Sequence, residues 1–150
     1  MTRFLIDTNL LVLLILGGSD QNLIGSHKRL RNFNLEDFKG LEMVLSDATG
    51  FVTLPYILAE CSNLIGIGKN APPAAVILFE SLVRKADEIA TKSEEVVQHQ
   101  YFRSFGLTDS AIIYLVRDRV HVVTVDHALH GVLVDLGIRS TNLRHRTWLQ

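Results

Sequence analysis

One cysteine, three prolines and one tryptophan in 150 residues set the first limits. Cys61 has no partner within the chain, so there is no disulfide framework, and no cysteine/histidine cluster stands at zinc-ligand spacing. Both absences suit a reducing cytosol and argue against a zinc ribbon. No stretch approaches the ~20 apolar residues that a membrane-crossing helix needs. The run from Leu10 to Leu16, behind Arg3 and ahead of Gly17-Gly18-Ser19, loosely imitates a secretory signal. Asp7 and Asn9 interrupt it, and the small residues beyond make a poor cleavage site. There is no Gly-rich phosphate loop, no Gly-x-Ser-x-Gly nucleophile turn and no metal spacing among the six histidines. The expectation is a soluble, cytoplasmic protein with no membrane partner.

Composition is that of a globular protein, 47% apolar and 21% charged. A single domain over residues 1–150 would bury roughly 68–70% of its unfolded surface without staples. The formal net charge of −1 does not by itself announce a nucleic-acid binder. Basic residues nevertheless cluster, at His27-Lys28-Arg29 with Arg31, at Arg84-Lys85, at Arg117 with Arg119, and at Arg144-His145-Arg146. Arg29, Arg31, Arg144 and Arg146 are candidates for nucleic-acid phosphates, although each cluster equally fits a solvated face.

Local pattern gives alternating strands and helices. Phe4 to Ile6 reads as a short buried strand, with Thr8-Asn9 as a cap for a helix that Gly17-Gly18-Ser19-Asp20 ends. A polar loop then runs to Asn34, and Leu35 to Leu45 has helical spacing. Phe51 to Leu54 is a second strand, Pro55 suits the first turn of a helix closed by Gly66 and Gly68, and Pro72-Pro73 opens another to about Lys85. A short strand at Glu88 to Thr91 precedes a helix from Ser93 to Phe102. Gly106 breaks the chain, and Thr108 is placed to cap a helix from Asp109 to Arg117. Val120 to Val125 is a strand, His127 to Leu136 a helix, and a last strand lies near Leu143. The alternation predicts an α/β fold with a mainly parallel sheet.

Four acids stand beside apolar runs: Asp7 after Phe4-Leu5-Ile6, Glu60 within Tyr56-Ile57-Leu58-Ala59, Asp109 ahead of Ala111-Ile112-Ile113, and Asp126 after Val122-Val123-Thr124-Val125. Carboxylates are almost never fully buried without a partner. On its helix Glu60 shares a stripe with Tyr56, Ile57, Leu64 and Ile67, with no basic residue nearby. Asp7 and Asp126 follow strands, where parallel sheets build their sites. A shared cation accounts for all four, and an all-oxygen set favours Mg²⁺ or Mn²⁺ over zinc. Two such ions, ~3.5–4 Å apart, can activate water and stabilise the leaving oxygen of an in-line phosphodiester displacement. Individually, Asp109 and Asp126 equally suit helix starts, and Asp7 does so less because Thr8 could cap instead. A dehalogenase-type phosphatase would need a second aspartate where Asn9 stands, and a phospho-receiver has no use for Glu60.

The segments Phe4-Leu5-Ile6-Asp7-Thr8-Asn9, Leu54-Pro55-Tyr56-Ile57-Leu58-Ala59-Glu60, Gly106-Leu107-Thr108-Asp109-Ser110-Ala111 and Thr124-Val125-Asp126-His127-Ala128-Leu129 resemble PIN domains in order and context. That family includes the toxin ribonucleases of bacterial toxin/antitoxin pairs. The resemblance implies a three-layer α/β domain, helices flanking a twisted parallel sheet, and a Mg²⁺- or Mn²⁺-dependent endoribonuclease. Its metal-binding and catalytic residues would be Asp7, Glu60, Asp109 and Asp126, with Asn9 and Thr124 as polar supports. Expected partners are RNA, an antitoxin protein and a second copy in a homodimer. The competing expectation is a non-catalytic RNA-binding or partner-binding module that keeps the fold.

Overall fold

The computed structural model describes residues 2–117 and 119–145. Its elements run β1 (Thr2–Ile6), α1 (Thr8–Ser19), α2 (Leu35–Val44), β2 (Ala48–Thr53), α3 (Pro55–Ile65), α4 (Pro73–Lys85), β3 (Asp87–Glu88), α5 (Ser93–Val97), α6 (Phe102–Leu115), β4 (Val120–Thr124), α7 (His127–Asp135) and β5 (Ser140–Asn142). Short 3-10 turns follow α1 at Gln21–Leu23 and β5 at Leu143–His145. All strand pairs are parallel, in the order β3-β2-β1-β4-β5. This is the α/β fold with a helix-flanked parallel sheet that the alternation predicts.

Buried parallel strands need apolar side chains on both faces. Phe4-Leu5-Ile6 in β1 and Val122-Val123 in β4 are accordingly buried throughout. The chain moves from β1 to β2 and β3 on one side, then crosses back to β4 and β5 on the other. Right-handed crossovers therefore put α1 to α4 on one face and α5 to α7 on the opposite one. Helix packing follows, with α1 against α2, α3 and α4, and α6 against α5 and α7. Helix α1 buries Leu10, Leu11, Val12, Leu13, Ile15 and Leu16, which fits a helix enclosed by neighbours and sheet.

Several boundaries differ from the local reading, each for a packing or capping reason. Asp7, not Thr8-Asn9, caps α1: the helix begins at Thr8 and the Asp7 carboxylate accepts from the Thr8 N–H. The end of α1 does match: it stops at Ser19, inside the Gly17-Gly18-Ser19-Asp20 segment, with Asp20 at the C-cap. Gly17 allows α2 to approach, since a Cβ there would stand 2.8 Å from Phe38 Cδ2. Pro55 and left-handed Gly66 do bound α3. The helix read from Ser93 to Phe102 is split: α5 stops at Val97, and Phe102 opens α6, which Gly106 (φ 79°) interrupts. Leu143 lies in the 3-10 turn past β5. Before α2, the loop buries Leu30 and Phe33, and Asn34 and Asp37 form a reciprocal cap. Among the described residues no helix is long and apolar enough to cross a membrane.

Candidate acidic site

Strand order reverses between β1 and β4, so their carboxyl ends leave a crevice that neither crossover fills. Asp7 enters it directly from β1, its own N–H bonded to the Val123 carbonyl at 3.0 Å. The Asp7 carboxylate accepts from the Thr8 N–H at 2.8 Å and the Thr124 hydroxyl at 2.7 Å. Thr124 Oγ1 also accepts from the Asp126 N–H at 3.0 Å. One threonine thus links the acids that follow β1 and β4. Asp126 caps α7, with Oδ1 accepting from the Leu129 N–H at 2.8 Å.

Glu60 and Asp109 come from α3 and α6, which touch each other across the crevice. The Thr108 hydroxyl donates to the Glu60 carboxylate, so Thr108 serves the neighbouring helix instead of capping its own. Of the four acids only Asp7 is buried; Asp109 is half-buried, and Glu60 and Asp126 are exposed. Glu60 does not point into the core as its stripe suggests. The buried face of α3 carries Ile57, Leu58, Cys61 and Ile65, while Tyr56 and Leu64 form a partly buried flank that Glu60 borders, and Ile67 lies past the helix end. Asn9 is exposed.

The acids nevertheless stand close enough to feel one another. Burial pushes the Asp109 carboxyl up to about 7, and the charges of Asp7, Asp126 and Glu60 add to that. Asp7 is also raised, chiefly by burial and further by Asp126 and Glu60, against the lowering effect of its bonds from Thr124 and Thr8. Among the described residues no three His, Cys, Asp or Glu side chains are arranged to hold one metal ion. The Glu60 carboxylate is turned to Thr108 and that of Asp126 to the first turn of α7. Chemically, the set remains four oxygen donors suited to a hard cation.

The candidate RNA-binding arginines do not gather at this edge as one group. Arg29 and Arg31 are exposed on the segment ahead of α2. Arg144 is a clamp on that segment: it pairs with Asp37 at 3.1 Å, donates to the Asn32 carbonyl at 2.9 Å and lies over the Phe33 ring, 4.8 Å from its centre. Arg146 lies outside the described residues.

Two features escaped the sequence reading. Thr108 is one; its position just before Asp109 made it look like an ordinary cap. The other is a histidine trio beside Asp126. His127 Nδ1 lies 3.4 Å from His145 Nε2, and the His130 and His145 rings meet edge to face with centres 5.2 Å apart. His130 Nδ1 bonds Ser140 Oγ at 2.7 Å, and burial, helped by His145 and His127, lowers its pKa. The spacing of His127 and His130 puts both on one side of α7, but only the fold brings His145 to them. Compared with protein-family models, curated proteins and solved structures, the chain matches none.

Proposed function

We propose that the chain is a metal-dependent endoribonuclease of PIN type, hydrolysing RNA phosphodiester bonds at the edge where Asp7, Glu60, Asp109 and Asp126 meet. The observation that carries this reading is the pair of raised carboxyls, Asp7 and Asp109, each pushed up further by the other acids. Like charges kept together against their repulsion, in a crevice at a strand-order reversal, mark a place built to receive positive charge. The donor set fits Mg²⁺ or Mn²⁺, which Asp7, Glu60, Asp109 and Asp126 would hold. When bound, such ions activate water and neutralise charge on a phosphodiester in displacement.

The protein's own part is positioning. Thr8 and Thr124 fix Asp7, and through Thr124 the Asp126 backbone is set relative to it. Glu60 and Asp126 sit on the exposed rim, where Glu60 can exchange its bond from Thr108 for a cation. Asp109, whose carboxyl is pushed up to about 7, would hold the cation in its ionised form. Loss of the 3′ oxygen to attacking water would leave a 5′ phosphate and a 3′ hydroxyl. The same reading extends to a cytoplasmic toxin held by an antitoxin protein and to a homodimer. One observation favours the non-catalytic module instead: the Glu60 and Asp126 carboxylates already have hydrogen-bond partners within the fold.

The discriminating experiment is cleavage of single-stranded RNA by the purified protein with Mn²⁺ or Mg²⁺. The nuclease reading expects cutting that EDTA abolishes and that Glu60→Gln lowers by at least about 100-fold, since a ligand of the cation is lost. RNA bound but never cut establishes the module. Cleavage that survives both EDTA and Glu60→Gln removes the acidic site from the mechanism.

A further inference from the structure

The opposite edge of the sheet carries a second concentration of chemistry that the acidic site does not use. Two adjoining cavities, about 280 and about 310 Å³, share Arg117, Gly137 and Ile138 as lining. The first is completed by Arg119, Val120 and Arg139. The second is completed by His99, Gln100, Tyr101, Ile113 and Leu136. We infer that together they form a nucleotide-binding site, with phosphate held by Arg117, Arg119 and Arg139 and the base lodged against Tyr101 and His99.

The first argument is charge. Among the described residues no carboxylate lines either cavity and none pairs with these three arginines. All three guanidinium groups are exposed around one hollow, where their forked donors match a phosphate better than a lysine ammonium does. Arg117 is held in place because one of its nitrogens donates to the Val116 carbonyl at 2.9 Å and to the Ile113 carbonyl at 3.4 Å, at the end of α6. A guanidinium has five N–H donors, so others remain for a ligand. Arg119 adopts a left-handed backbone (φ 75°), a conformation that costs a non-glycine residue energy and recurs at functional sites.

The second argument is the shape and chemistry of the neighbouring hollow. Phosphate alone would leave it unused. Tyr101 and His99 present rings with centres 5.3 Å apart. Aromatic faces of this kind stack bases, and an amide such as that of Gln100 can both donate to and accept from a base edge. His99 Nδ1 is buried without a hydrogen-bond partner. Each cavity is near the lower limit for small-ligand pockets, so a phosphate in one and a base in the other describes a single nucleotide. Val120 lines the arginine cavity, while Thr124, at the other end of β4, bonds Asp7. Four residues of strand put the two sites roughly 13 Å apart along the sheet, so this ligand is not the bond being cut.

Calorimetric titration of the full chain in EDTA tests the inference without cations at the acidic edge and without any cleavage. Adenosine or guanosine 5′-monophosphate should bind, and inorganic phosphate should bind more weakly. Arg119→Gln/Arg139→Gln should weaken both at least tenfold, with Arg119→Lys/Arg139→Lys between it and wild type. Tyr101→Ala should weaken the nucleotide and leave phosphate unchanged. A 5′-phosphorylated oligoribonucleotide binding as tightly as the mononucleotide identifies an RNA end as the source; binding of the mononucleotide alone identifies a free nucleotide. Either supports the site. No binding at millimolar nucleotide, binding indifferent to loss of the arginines, or phosphate bound as tightly as nucleotide in both wild type and Tyr101→Ala overturns it.

Discussion

Asp109→Asn should make the cation-free protein more stable at neutral and alkaline pH. The wild-type carboxyl moves from 3.8 to about 7 on folding, chiefly through burial. Between those values the folded state keeps a proton that the unfolded state has lost, so stability falls as pH rises through that window. At 1.36 kcal/mol per pH unit, a fully enclosed group would cost about 4 kcal/mol. Asp109 is only half-buried, and allowing for water around it leaves about 2 kcal/mol. Asparagine keeps the shape and cannot ionise. In urea unfolding with EDTA present, the two proteins should therefore match near pH 4, separate as pH rises above it, and run parallel by about pH 7 at the latest. At 2–4 °C per kcal/mol the alkaline difference corresponds to roughly 4–8 °C in Tm. Comparing the variant with wild type cancels ionisations common to both. Curves that stay parallel from pH 4 to 8 would refute the claim that Asp109 is held against its own charge.

Thr124→Val should cost about 1–3 kcal/mol in urea unfolding, because the buried Asp7 carboxylate loses a donor, while Thr124→Ser keeps most of the stability. Gly17→Ala should destabilise by roughly 1–2 kcal/mol despite alanine's better helix propensity, since its Cβ meets the Phe38 ring at 2.8 Å; a denaturant midpoint at or above wild type would show that α2 yields freely. Arg144→Gln should raise hydrogen exchange and proteolytic nicking between residues 20 and 34 before it changes protection of the sheet, because it removes the tie to Asn32 and Asp37. Mn²⁺ at a hundred times its Kd should add about 2.7 kcal/mol to wild-type stability, and Asp7→Asn should shrink the gain, as read by calorimetric Tm.

The sequence makes the sheet and its acids legible for different reasons. β1 and β4 are apolar because both their faces are covered, and α3 lies between Pro55 and Gly66, so local chemistry suffices for each. Asp7 and Asp126 follow from the same logic, as the first polar side chains available past buried strands. Glu60 was harder. Its spacing matches a partly buried flank of α3 as well as a core face, and only packing separates the two. The need for a glycine at position 17 is invisible locally because its reason is Phe38, on another helix. Thr108 serving Glu60, and His145 meeting His127, depend on residues that only the completed fold brings together.

The bond from Thr124 to Asp7 joins residues 117 positions apart, and this sets a timetable. During synthesis Asp7 leaves the ribosome before β2 and β3 exist, yet β4, the strand beside it, is made only after both. Pairings of such sequence separation form late and slowly. A nascent chain can assemble β1, β2 and the helices over them, but it cannot complete the acidic crevice until β4 has emerged. Any chemistry that needs Asp7 and Asp126 together therefore waits until β4 has been made and has paired with β1.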